Sequence, residues 1–353
     1  MPYTVIDVGP DVVAWAVNAG NDVLFEATGG APVQVRLAGG DLISLPPEVI
    51  SSQAISDNGF VLCLLADGPQ AWCEIATGQI EPIEISGQGS VYVAAMNSRG
   101  DVAGAAGAQA FVMNFASRAV TLVAPSLPTP APGFTSTSVA FNDLNDQGQA
   151  VGAQQWTADG QVVQPLWFDG TSLHPIGPPA FGSDAEGALI TNDLAMRVTY
   201  DLGGDSIFDA ATGVLTPFAG WISDMQSGGR VLWSPDSFLR TSSLTSPAGV
   251  TPVIDLFPPG SGFIGAIGLR MNASGTIVGY GGKSDGAVNG FILIPDLPPR
   301  LPLPEPVGDL LFPEIILLGP GGRIEVIPGD APGGPVVFTE GTADGREGDD
   351  PDR

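Results

Sequence analysis

Two acids that share a loop, Asp184 and Glu186, come nearest to the spacing of a catalytic pair. Placed beside a glycosidic bond, one carboxyl protonates the leaving oxygen while the other assists attack on the sugar. Loop acids are as readily just solvated, so this pair is the lesser reading of its segment. His174 is the only histidine, so any Ser/His/Asp, Cys/His or His-ligated metal mechanism must run through it. It falls in LHPIGP, a proline-broken run suited to an outer strand, away from a concave site. The stretch from Asp143 to Gly148 opens like an EF-hand loop. Position five is Gln147 and position twelve is Gln154, so the bidentate acid is missing. Cys63 and Cys73 flank an Asp67-Gly68-Pro69 turn as cross-strand neighbours, either bonded or, as the better reading, two buried thiols. Neither has the partners of a metal site. The residues call for no cofactor and no metal.

The elements that position these residues come from a repeat. FNDLNDQGQAVG, from Phe141 to Gly152, has relatives along the whole chain: VNAGNDVL with Gly20, ISDNGFVL with Gly59, MNSRGDVAG with Gly100 and MNASGTIVG with Gly275. Two copies are degenerate. ITNDLAMRV has Ala195 where the glycine is expected, and ISDMQSGGRV reads as carrying an insertion before Gly229. The mean spacing is about 42 residues, the length of one four-stranded propeller blade. Asn can bond its own backbone two residues on, and Gly accepts positive φ, so each Asn-x-x-Gly reverses one strand into the next. An apolar run with an aromatic follows (AWCEI, AFVMNF, PLWF, SIFDA, SFLRT, GFILI), then a tight turn and a short outer strand often broken by proline.

Seven copies predict an all-β, seven-bladed β-propeller, six or eight blades being the other counts the degenerate copies allow. Small residues in the first strand of each repeat (VYVAAMN, GALITND) suit a narrow ring centre. The last copy lacks a fourth strand, and YTVIDVGP at the start matches the outer-strand pattern of TPVIDLFP. Residues 3 to 8 are therefore expected to close the ring, which leaves no open sheet edge. The propeller is assigned to residues 1–295. Residues 296–353 divide into a proline-rich linker, a hairpin at 314–327 with a Gly-Pro-Gly-Gly turn, and an acidic tail of disordered composition.

Loops between blades and between the second and third strands emerge on one face, and here they are the long ones: 124–139, 152–164, 177–189 and 279–289. Long loops on a rigid scaffold are where binding residues gather. Phe134, Trp156 and Phe181 sit in three consecutive such loops, with Gln154 and Gln155 beside them, as a candidate recognition surface. The alternative is that these aromatics pack the loops onto the ring.

Thirty-eight acids against 12 bases give a net charge of −26, with Lys283 the only lysine. That field repels nucleic acid and anionic membranes, and no basic stripe offsets it. A protein or glycan partner, cationic if charge decides, fits better. No run of 18 apolar residues spans a membrane and no signal peptide leads the chain. The location is cytoplasmic by default, or extracellular if a signal was removed.

The Asn-x-x-Gly-x-Val-x-Gly turn followed by Ala-Phe-aromatic resembles the HAF-type repeats of bacterial, often exported, proteins, over roughly residues 13 to 295. The match is good in MNSRGDVAGAAGAQAFVMN and MNASGTIVGYGGKSDGAVNGFILI, although Gln109 stands where the name-giving His would precede Ala110-Phe111. The resemblance implies a propeller and export, and nothing catalytic. The sequence thus points to a non-enzymatic binding module, with a carboxylate-based polysaccharide hydrolase or lyase and a structural subunit of a larger assembly as alternatives.

Overall fold

The computed structural model describes residues 3–27, 32–158, 160–181, 185–200, 204–235 and 241–296, with the backbone of 314–317 and 324–327. Seven antiparallel sheets of four main strands form a β-propeller. The inner strands of blades 1 to 7 are Val12–Val17, Val49–Ile55, Val91–Met96, Thr135–Leu144, Ala185–Ile190, Trp221–Gln226 and Ile267–Met271. Blades 1 to 6 add three further strands in chain order, moving outward. Blade 7 takes its outer strand from the other end of the ring. Tyr3–Pro10 pairs with Val288–Pro295, from Tyr3 opposite Pro295 to Pro10 opposite Asn289. The closing strand is thus two residues longer than the segment expected from sequence. Asp7 fastens it, accepting from Lys283 Nζ at 2.7 Å and Asn289 Nδ2 at 2.8 Å, and the Thr4 hydroxyl donates to Asp296 at 2.7 Å.

There is no single central core. Apolar clusters lie between neighbouring blades, one for each junction. Leu62 and Trp72 of blade 2 pack on Val93, Val102 and Phe111 of blade 3. Ala103 and Ala110 of blade 3 meet Phe141 and Leu166 of blade 4. Ala14, Val23 and Phe25 of blade 1 meet Val278 and Ile292 of blade 7, so the junction that closes the ring is as apolar as the others. Cys63 and Cys73 lie in the cluster between blades 1 and 2 as free thiols. Cys63 pairs with Ala71 and Cys73 with Val61, which makes the two sulfurs diagonal neighbours. Burial pushes them up to about 12 and about 11, so neither is a nucleophile near neutrality.

The turn residues correct the sequence alignment in three copies. Gly59, Gly100, Gly148 and Gly275 have φ between 78° and 91°, and the matching turn residues in blades 1 and 5 are Asn21 at 67° and Leu194 at 64°. The repeat position therefore belongs to Asn21 and Leu194, not Gly20 and Ala195. In blade 6 Gln226 pairs with Arg230 and Met225 with Val231, the spacing of Leu144 to Ala150 in blade 4. The turn has no insertion, and Gln226 simply takes the place of the asparagine.

Every inner strand also carries a β-bulge, at Trp15, Gln53, Ala94, Asn142, Ala188, Ser223 and Leu269, three residues before the position of the repeat asparagine. A bulge re-aims the side chains around it. In blades 3, 4 and 7 the second glycine of the repeat lies against it. A Cβ on Gly104, Gly152 or Gly279 would run into the carbonyl of Tyr92, Ala140 or Ile267 on the bulged strand.

The remainder, residues 297–353, forms a separate unit. Within it Glu314–Leu317 pairs antiparallel with Ile324–Ile327; most of the proline-rich linker and the whole acidic tail lie outside the described residues. Among the described residues the helical content is a 3₁₀ turn at Val253–Leu256, and no helix is long and apolar enough to cross a membrane.

Candidate functional site

The face that carries the Asn-x-x-Gly turns is closed by hydrogen bonds. Asn145 Oδ1 accepts from Gln147 N and Gln149 N, both at 3.0 Å, as the turn chemistry requires. Its Nδ2 reaches the next blade and donates to Thr191 O at 3.3 Å. The same bridge recurs from Asn18 to Ser56 O at 3.1 Å, from Asn97 to Asn145 O at 3.0 Å and from Asn272 to Asn18 O at 2.8 Å. Gln226 donates to Met271 O at 2.7 Å in the degenerate copy. A second course lies beside the first. Asp57 accepts from Ala19 N at 2.7 Å, and Asp146 accepts from the Ser98 hydroxyl at 2.6 Å. The signature asparagine is therefore a turn former and a stitch between blades, and only the first role follows from the sequence of one repeat.

Inside the ring the channel is set by the residue two before the asparagine position of each repeat: Ala16, Ala54, Ala95, Asp143, Leu189, Asp224 and Arg270. A cavity of about 320 Å³ opens there on the turn side, with Asp224 and Arg270 in its wall. Asp143 accepts from Ile190 N at 2.9 Å and Asp224 from Met271 N at 2.6 Å, so the apparent EF-hand opening is spent on a link between blades. Withdrawal from water pushes Asp143 up to about 7 and Asp224 up to about 6, against the pull of Arg270 and of main-chain N–H groups. Arg270 Nη1 donates to Ser223 O at 2.7 Å and Leu269 O at 3.2 Å.

Arg270 also lines a second cavity, of about 280 Å³, on the long-loop side of the channel. Trp15, Leu269 and Ser223, all bulge residues, form its wall with Trp221, Ile222 and Arg197. Arg197 Nε lies 3.0 Å from Asp205, whose other oxygen accepts from Ile222 N at 2.5 Å. The pocket is off-axis, because the inner strands of blades 2 to 5 carry Gln53, Ala94, Asn142 and Ala188 at the bulge and only blades 1 and 7 carry a bulky apolar residue there. None of these residues stood out as a site in the sequence. Two signals were present: Trp15 interrupts the small-residue run VVAWAV, and Arg270 is the only basic residue in an inner strand.

The five binding candidates from sequence gather at blade 4 and divide by exposure. Phe134 and Phe181 meet edge to face with ring centroids 6.3 Å apart. Phe181 stays 62% exposed on a two-residue strand, Ala180–Phe181, that pairs with Val162 and Val163. Trp156 lies across the sheet from Val162 and is 1% exposed, so it packs rather than presents itself, and its Nε1 has no hydrogen-bond partner among the described residues. Gln154 is fully buried. Its Oε1 accepts from Ser126 N and Leu127 N, both at 3.1 Å, and its Nε2 donates to Ser136 Oγ at 3.2 Å, which ties down the preceding loop. Gln155 is exposed. The segment expected as a loop at 152–164 is mostly sheet, since Ala150–Thr157 and Gln161–Phe168 extend the hairpin. Glu186 accepts from Asn142 Nδ2 at 2.9 Å, and Asp184 lies outside the described residues. His174 is on the outer strand Leu173–Pro175, 2.7 Å from Asp169 and stacked on Trp167; its hydrogen bond and those from Thr171 and Ser172 hold Asp169 well below the usual carboxylate range.

Large apolar side chains are exposed on the long-loop side at Ile50, Tyr92, Phe181, Ile264 and Val288. All five sit at starts of inner or third strands or in connections between blades. Of the others, Trp15 is on the inner strand of blade 1, and Leu42, Val120, Leu122, Val214 and Val250 lie on outer strands of four different blades.

No protein-family model matches the chain, and no curated protein matches its sequence. Among solved structures it is similar to virginiamycin B lyase from Staphylococcus aureus, at 12% identity over 83% of this chain and 100% of that one, with a TM-score of 0.48. A chain of the mitotic checkpoint complex is similar at 14% identity, over 84% of this chain and 92% of that one, with a TM-score of 0.49. Dipeptidyl peptidase 4 from Porphyromonas gingivalis is matched over 53% of its length, at 10% identity over 81% of this chain and a TM-score of 0.45.

Proposed function

We propose that this protein is a non-enzymatic binding module that engages a protein partner through the long-loop face of its propeller. The observation that carries this reading is the set of exposed apolar side chains there, Ile50, Tyr92, Phe181 and Ile264, contributed from separate parts of the ring. Leaving such groups in water forgoes burial worth about 1.5–3 kcal/mol for each large side chain, and exposed apolar groups gathered on one surface mark interaction sites. Phe134 supports Phe181 by ring contact, Gln154 anchors the loop that leads to Phe134, and Gln155 is an exposed polar neighbour. With 38 acids against 12 bases on the chain, a partner with basic groups around an apolar centre complements this face.

The test places a photoreactive residue at Tyr92 or, as control, at Val250 on an outer strand, in the native host. The reading expects one protein to crosslink from position 92 and not from 250, and to be lost when Phe181→Ser is added. Equal labelling from both positions, or retention in that variant, overturns it.

A further inference from the structure

Beyond that surface, we infer that the pocket between Trp15, Trp221, Arg197 and Arg270 binds an organic carboxylate carried on an apolar or aromatic body. Basic residues are scarce in this chain, 12 against 38 acids, yet two arginines from different blades line one cavity of about 280 Å³. Arg197 comes from the second strand of blade 5 and Arg270 from the inner strand of blade 7. Arg270 makes its hydrogen bonds to two carbonyls through Nη1, and among the described residues no acceptor takes its Nε or Nη2. A guanidinium edge of that kind matches a carboxylate with two parallel donors. Asp143 and Asp224 stand near Arg270 in the channel. They make the turn side a poor place for an anion, so the carboxylate approaches from the long-loop side and stops at Arg270.

The remaining walls define the other half of the ligand. Trp15 is 42% exposed although it sits on an inner strand, and Trp221 is half-buried across the pocket. Arg197 is held by Asp205, so Arg270 is the cation open to a ligand, and ring faces beside it favour an aromatic or branched apolar group. The volume is at the small end for ligand pockets, enough for one residue-sized molecule. Two sources share this chemistry: a free aromatic acid and the C-terminal residue of a polypeptide.

Calorimetric titration of the full chain with N-acetyl-L-phenylalanine tests the inference. Saturable binding is expected at about 1 mM or tighter, at least about tenfold weakened for N-acetyl-L-phenylalaninamide, which lacks the carboxylate, and not detected for acetate, which lacks the ring. Arg270→Gln, checked for an unchanged thermal transition, should weaken the acid to the level of the amide. A tetrapeptide Ala-Ala-Ala-Phe with a free C-terminus that binds about tenfold tighter than the acetylated amino acid identifies a chain end as the ligand; equal affinity identifies a free acid. The inference is overturned by equal binding of acid and amide to the unaltered chain, or by no saturable heat at about 10 mM. These probes require no protein partner, so failure of the long-loop reading leaves the titration standing, and the reverse.

Discussion

The two faces of the ring are built on opposite terms. On the turn face four of the seven blades are bound to the next by an asparagine at the same repeat position, Asn18, Asn97, Asn145 and Asn272, and Gln226 does the same for a fifth. On the long-loop face large apolar groups are left in water at Ile50, Tyr92, Phe181 and Ile264, which do not share one repeat position. The repeat, then, is conserved within the chain where it must hold itself together and is free to vary where it meets something else. Each face can be perturbed separately, and the sizes of the effects should differ.

The largest loss is expected for Gly152→Ala. Its Cβ would strike the Ala140 carbonyl on the bulged inner strand, and opening that strand should cost about 3 kcal/mol in urea denaturation. Blades 1 and 5 carry Phe25 and Val198 opposite the same bulge, so the strand can open and the variant should still fold. A cost below about 0.5 kcal/mol would show that the glycine answers to no close approach. Next comes Asn145→Ala, which strips the turn and the stitch to Thr191 at a buried position. About 2 kcal/mol is expected, against no more than about 0.5 kcal/mol for Phe181→Ser on the other face. Equal costs would erase the contrast between the faces.

A smaller effect should come from the channel acids. Asp143 and Asp224 hold their protons more tightly folded than unfolded, at about 7 and about 6. Their protonated forms favour the fold, so that contribution is intact below the ordinary value of 3.8 and is lost as pH rises from there through about 6 and about 7. The thermal midpoint should therefore fall between pH 5 and pH 8, and Asp143→Asn with Asp224→Asn should flatten the fall, since an amide oxygen can still accept from Ile190 and Met271. The same slope in the double variant would mean that other groups set it.

Much of the fold was legible because the constraint on a tight turn is local. Asn followed three residues later by Gly needs no knowledge of the rest of the chain, and it gave the period, the blade count and the missing strand at the ring closure. The alignment slipped where the left-handed residue is not glycine: Asn21 and Leu194 adopt the conformation, and no residue type announces it. The channel was harder to see. Its residues lie about 42 positions apart and become neighbours only through seven-fold closure, and a bulge at each inner strand decides which of them face inward. Trp156 and Gln154 read as loop residues because their hairpin runs past the usual blade length, with eight-residue strands at Ala150–Thr157 and Gln161–Phe168. Residues that extend a sheet are drawn into its packing, whereas Phe181, on a two-residue strand, stays in solvent.

The closing strand has a consequence for how the ring comes to exist. Thr4 and Asp296, which bond across the closure, are 292 residues apart, while every other blade is completed from one continuous segment. During synthesis Tyr3–Pro10 emerges before any other strand of the propeller and waits for the last one, so six blades can assemble as an open arc with an uncovered apolar blade face at each end. The entropy of closing so long a loop falls on one late step, and that interval is when two chains could exchange closing strands. A circular permutant in which residues 3–10 follow residue 296 replaces the long closure by a local hairpin; it should fold faster than the natural order and leave the strand little time to pair with a neighbour.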